Sequence, residues 1–164
     1  MKFEIPPALK IAALVLGTTA LYTYIGQLVP QKQVLPPEET VISDDMTTED
    51  LVQVGLEIAQ GKGLCFTCHT IGKTGALRFP DLDGIAVTAE GRIPGLGSLQ
   101  YMADSIYHPN DFIVEGFNPG MPEINKPPIG LNDQEILAVL AYLQSLGGVP
   151  SVTLETTPAD LGLE

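Results

Sequence analysis

The chain's only two cysteines stand in one five-residue stretch, Cys65-Phe66-Thr67-Cys68-His69, and that stretch narrows most sharply what the surrounding residues can fold into. Two thiols this close cannot staple a fold together, so a disulfide framework is excluded. A structural zinc site asks for four ligands, and the chain offers one further histidine, His108, and no further cysteine. A dithiol redox pair gives no role to a histidine directly after the second cysteine, and it expects a strand-to-helix context that is not visible here. Covalent haem attachment does use every part of the pattern. Thiols three positions apart reach the vinyl groups on one edge of the macrocycle, and the next residue presents its imidazole to the iron. The expectation is one covalent haem c with His69 as an axial ligand.

The opposite axial ligand is sought downstream, among Met102, Met121 and His108. Met121 stands in Asn118-Pro119-Gly120-Met121-Pro122, where a glycine before it and a proline after it suit a rigid loop that approaches the haem closely. Met102 falls on the apolar side of a predicted helix and reads better as core. His108 precedes Pro109 at a helix end and reads better as a rim residue. Met121 is therefore the expected ligand.

A second feature lies near the start. From Ile11 to Val29 no residue carries a charge. As a helix that run is about 28 Å long, close to the hydrocarbon thickness of a bilayer. Pro6 and Pro7 suit its first turn, and Tyr22 and Tyr24 lie toward its far end, where amphipathic rings favour the interface. A cleaved leader would have a shorter apolar core and a small-x-small site after it, and Val29-Pro30-Gln31-Lys32 offers none. Residues 1–30 are thus expected to be a retained transmembrane anchor. Lys2 and Lys10 precede the span, which places the N-terminus in the cytoplasm and everything after residue 30 on the periplasmic or extracytoplasmic side.

Residues 31–46 contain Pro36, Pro37 and several acids and read as a semi-rigid acidic tether. Lys2, Lys10 and Glu4 give residues 1–30 a balance of +1, so of the net −12 the chain beyond residue 30 carries −13. Such a field repels phosphate backbones, so nucleic acid is excluded as a partner. It favours basic protein surfaces instead.

Between residues 47 and 148 the pattern is helical. A helix starts near Thr47 or Thr48, carries Leu51, Val54, Leu56, Ile58 and Ala59 on its apolar side, and stops at Gly61 and Gly63. Residues 70–100 read as loop. A short helix over 99–107 ends at His108-Pro109. The clearest helix begins at Asn132, whose capping-box partner is Glu135, buries Ile136, Leu137, Val139, Leu140, Leu143 and Leu146, and closes at Gly147-Gly148. The segment 149–164 has neither periodicity nor caps, and is expected to be an extended tail, disordered or laid along a partner. No strand pattern or repeat is visible.

The order of these parts resembles the class I, mono-haem cytochrome c family. The likeness rests on Gly55 in the first helix, Cys65-Phe66-Thr67-Cys68-His69, Phe79-Pro80-Asp81-Leu82-Asp83-Gly84, Tyr101 to Ile106, Ile113 to Phe117, Gly120-Met121-Pro122, and Ala141-Tyr142-Leu143. The resemblance implies an all-α fold around one haem, here with an N-terminal transmembrane helix, whose first and last helices cross with Gly55 packed near Tyr142. It implies that the Pro80 carbonyl accepts the His69 ring N–H and that Tyr101 lies near a haem propionate. Ile106, with Phe79, Ile113 and Leu143, would cover the haem. One departure is that Leu56 or Ile58 replaces a bulky aromatic common in the first helix, so a looser helix contact is expected.

His–Met ligation leaves no open iron position, so the expected chemistry is outer-sphere transfer of single electrons at a positive potential. No nucleophile or general-base constellation is present, and no enzymatic activity or small-molecule substrate is expected of the chain itself. Its partners should be redox proteins. Two roles fit: a subunit of a membrane quinol-oxidising assembly, such as the mono-haem cytochrome subunit of an alternative complex III, or a tethered shuttle between a quinol oxidoreductase and a terminal oxidase or reaction centre. The short tether and the tail favour the first.

Overall fold

The computed structural model describes residues 4–30 and 41–163; Lys2 and most of the tether, 31–40, lie outside them. The chain divides into two compact units, Met1–Pro36 and Pro37–Glu164. All regular structure among the described residues is helical.

The first unit is one helix, α1 (Pro7–Leu28), with proline at its first position as the sequence suggested. None of its residues is buried, and Leu14, Leu16 and Tyr22 are each about two-thirds exposed or more. It is long and apolar enough to cross a membrane. Thr18 Oγ1 donates back to the carbonyls of Leu14 and Val15 at 2.9 and 3.0 Å, so this hydroxyl needs no partner outside the helix.

In the second unit α2 (Thr48–Gln60) and α5 (Asp133–Ser145) make the main packing contact, and both open on capping boxes. At α2 the Thr47 hydroxyl accepts from the Asp50 N–H at 3.3 Å while Asp50 accepts from the Thr47 N–H at 3.0 Å. At α5 Asn132 and Glu135 exchange the same two bonds at 2.9 and 2.8 Å. Reciprocal capping satisfies donors that a helix start would otherwise leave orphaned. Gly55 sits at the crossing. A Cβ there would stand 1.9 Å from the Ala138 carbonyl oxygen and 2.9 Å from Tyr142 Cβ, so only glycine lets the two backbones meet. Ile58 is fully buried beneath this contact, and the helices close tightly without the aromatic.

Helix α5 is buried on all sides over Glu135–Tyr142 rather than along one stripe. Three neighbours explain this: α2, the pair α3 (Ile85–Thr88) and α4 (Ser98–Tyr107), and the C-terminal segment. The short α3 interrupts the stretch expected as loop. It is fixed to the end of α5 by Ala86 N donating to Leu146 O, and by Gly147 lying so close to Gly84 that a Cβ would be 2.9 Å from its Cα. Glu135, 6% exposed, also receives Lys62 Nζ on both oxygens at 2.8 and 2.7 Å, tying the exit of α2 to the start of α5.

Two expectations change. The segment after Gly148 is not a loose tail, because Val152 and Leu161 are buried in the domain's own core. Gln144 Oε1 accepts from the N–H groups of Ser151 and Val152, Thr48 Oγ1 donates to Val152 O, and Gln100 Nε2 donates to Asp160 O. Turns with spaced anchors carry no periodicity, which is why the pattern missed them. At the other end Ile42 and Met46 pack on the core, so the domain begins before residue 47.

Candidate haem site

The irregular chain between α2 and α5 walls a cavity of roughly 310 Å³. Its first edge comes from the end of α2. Gly63 N donates to Ile58 O at 2.8 Å, Leu64 takes the left-handed conformation (φ 55), and the chain then turns through a single 3-10 turn, Cys65–Thr67. That turn brings Cys65, Cys68 and His69 onto the cavity wall. No disulfide joins the two cysteines.

His69 is held at one ring nitrogen. Its Nδ1 lies 2.8 Å from the Pro80 carbonyl oxygen, and because a carbonyl only accepts, the proton is on Nδ1. Nε2 is thereby the unprotonated nitrogen, with its lone pair available to a metal. The segment carrying Pro80 is joined to the segment after His69 by Asp81. Its carboxylate accepts from Thr70 Oγ1 at 2.5 Å and from the N–H groups of Gly72, Lys73 and Asp83 at 2.9, 3.0 and 2.9 Å. The Thr70 hydroxyl above all, then these amides, draw its pKa down to about 2.

The remaining wall is mostly apolar. Phe79, Ile106, Ile113 and Leu143 line it, and so do Tyr101 and Met121. Met121 is half-buried in its loop, next to Gly120 at φ 153. Met102 also reaches the wall, from inside α4, where it is 2% exposed and packed in the core. His108 is not on the wall; its side chain is 54% exposed and its Nδ1 lies 3.2 Å from Asp104.

Arg92 is the residue that the sequence reading missed. Among the described residues it is the only lysine or arginine on the wall. Its Nε donates to Thr88 O at 2.9 Å, a second guanidinium nitrogen donates to the Tyr101 hydroxyl at 3.2 Å, and the group lies 5.3 Å from the centre of the Tyr101 ring. Tyr101 is in turn held edge-on by Phe112 at 5.8 Å. The one signal for Arg92 was its rarity, since it and Arg78 are the chain's only arginines.

These residues fit a haem. An apolar cavity takes the macrocycle, two cysteine sulfurs stand on its wall, an imidazole with its Nδ1 proton committed to Pro80 lines it, and one cation with a phenol can receive carboxylates. The site and the all-helical frame therefore define a protein that carries a covalently attached haem. The Cytochrome c family model matches residues 56–147, more than half of the chain, and the chain belongs to the cytochrome c family. No curated protein matches it. The haem c is covalent, and the protein is a haem-based electron carrier rather than a catalyst in itself.

Proposed function

We propose that this protein moves single electrons between protein partners at a membrane to which α1 anchors it. The observation that carries the proposal is the joint presence of His69 and Met121 on one apolar wall, with the His69 Nδ1 proton already committed to Pro80. In this reading Cys65 and Cys68 would form the thioether links, and His69 Nε2 and Met121 Sδ would hold the iron. The bound haem supplies the one-electron ferric–ferrous couple. The chain's residues do the rest. Pro80 fixes the imidazole plane, Ile106 and its apolar neighbours keep water from the macrocycle, and Tyr101 with Arg92 receives a propionate. With the iron held by these two side chains, no site would remain for a small ligand, which would leave outer-sphere transfer. Burial and thioether sulfur both favour ferrous iron and hence a positive midpoint potential. The charge-free stretch of α1, with Lys10 before it, supports a single span with the haem domain on the extracytoplasmic side.

The larger setting has two readings, each with a feature in its favour. A fixed place in a quinol-oxidising complex, such as an alternative complex III, is supported by the short tether, shortened further because Ile42 and Met46 pack on the domain. A tethered shuttle is supported by the C-terminal segment, which buries its apolar residues at home and needs no partner to order it. A haem-stained native gel of gently solubilised membranes separates them. A band within a large assembly holding quinol-oxidising subunits supports the fixed place; a band near the protein's own mass supports the shuttle. A midpoint potential well below zero would overturn the His–Met ligation common to both.

A further inference from the structure

His69 and Pro80 are each followed by a residue that joins the same two segments. Thr70 follows the histidine, Asp81 follows the proline, and the Thr70 hydroxyl donates to Asp81 Oδ2 at 2.5 Å. Leu82 N donates to Thr70 O at 2.8 Å beside it. The rest of the Asp81 carboxylate gathers the N–H groups of Gly72 and Lys73 from the first segment, and of Asp83 from its own. No helix or strand spans residues 70–84. The Pro80 carbonyl therefore has no regular element to hold it opposite the imidazole.

We propose that Asp81 is a positioning residue for His69: by clamping 70–73 to 79–83 it sets the length and direction of the Nδ1–H···O=C bond to Pro80, and through it the potential of the iron. The proposal rests on the ligation reading above. The physical chain is short. A carbonyl that accepts the Nδ1 proton makes the imidazole a more basic ligand, which favours ferric iron. Hydrogen bonding one step out from the iron is one of the protein's levers on potential. If the clamp is removed, the carbonyl drifts, the ring nitrogen proton loosens, and the equilibrium moves toward ferrous iron.

The test uses the intact haem-loaded protein and four variants: Asp81→Ala, Thr70→Val, Asp81→Asn, and Asp81→Ala combined with Thr70→Val. Thr70→Val removes one hydroxyl and leaves the amide donors in place, so it reads the clamp where Asp81→Ala folds poorly. Two readouts are taken, the midpoint potential and the solvent exchange of the His69 Nδ1 proton by NMR. For Asp81→Ala we expect a positive shift of about threefold or more in the ferrous-to-ferric ratio at fixed potential, roughly 28 mV at 59 mV per decade for one electron. Exchange of the Nδ1 proton should quicken by about tenfold, since outer-shell partners typically act on that scale. Thr70→Val moves both quantities the same way by less. Asp81→Asn keeps one acceptor oxygen for Gly72 and Asp83 and sits between the parent and the alanine variant. The double variant goes no further than Asp81→Ala, because the two side chains act as one unit.

Variants that lose thermal stability while potential and exchange stay at parental values show Asp81 to be structural only, and overturn the proposal. A parent protein with no iron-shifted His69 ring resonances overturns the ligation reading itself, and the clamp with it.

Discussion

At the scale of single residues the two methionines on the cavity wall separate by what each loses on truncation. Met121 is half-buried in a loop and is the proposed iron ligand; Met102 is 2% exposed in α4 and packs in the core. Met121→Ala should lower the midpoint potential by an amount on the order of 0.1 V or more, within the ~0.8 V that axial ligands span, and should let added imidazole bind the ferric protein. Met102→Ala should leave the potential near the parental value and cost about 2–4 kcal/mol of stability, as buried truncations do. Potentiometry and chemical denaturation of both variants check this, and an exchange of the two outcomes would move the ligand to Met102. Asp81 gives a pH prediction. Its folded-state pKa of about 2 lies below the ordinary 3.8, so its contribution to stability is present above about pH 4 and is lost as pH falls through 2. Denaturant midpoints measured from pH 5 to pH 2 should fall less steeply for Asp81→Asn than for the parent.

At the scale of elements the α2–α5 crossing is set by Gly55. A methyl group there meets the Ala138 carbonyl carbon at 2.5 Å as well as its oxygen at 1.9 Å, and these are backbone atoms within a helix that cannot give way. Gly55→Ala should therefore cost about 3 kcal/mol or more, despite alanine's better helix propensity, and thermal unfolding of the haem-loaded protein would show it. The C-terminal segment makes a milder prediction. Leu161→Ala should cost roughly 2 kcal/mol with an unchanged denaturant m-value; no loss would mean that the segment does not hold to the core in solution. These two cases also show what the sequence could disclose. The crossing was legible because a glycine in an apolar helix face, together with Tyr142 in another, came with the family resemblance. Both capping boxes rest on local side-chain chemistry, and Asn132 with Glu135 announced its helix. Of the residues that line the cavity, Cys65, Cys68, His69 and Met121 were marked by fixed spacing or a rigid loop, and Pro80 came with the family resemblance. Arg92 was not, because its reach to Tyr101 depends on the four-residue α3, too short to show a period. Val152 and Leu161 were not, because their segment is anchored by side chains on other elements, Gln144 of α5 at Ser151 and Val152 and Gln100 of α4 at Asp160.

At the scale of the whole molecule the charge distribution governs encounter. The chain beyond residue 30 carries a balance of −13, which with the +1 of residues 1–30 gives the net −12. Lys62 is taken up by Glu135, Lys126 is paired with Glu123, and Arg92 faces the cavity. Acidic side chains therefore set the long-range field, while the haem sits in an apolar enclosure that contributes little to it. A field of one sign steers partners of the other at distances up to the Debye length, about 30 Å at 0.01 M salt and about 3 Å at 1 M. Electron exchange with a basic redox protein should thus be fast at low salt and slow by about 10-fold or more as ionic strength rises toward 0.5 M. With an acidic redox protein of similar potential the rate should rise over the same range, because screening removes a repulsion. Stopped-flow traces at the haem Soret band, with the two partners compared across a salt series, measure both slopes. Opposite slopes place the acids in control of docking. Two flat lines would mean that approach is governed by the apolar surface around the haem opening, and that the acidity serves solubility alone.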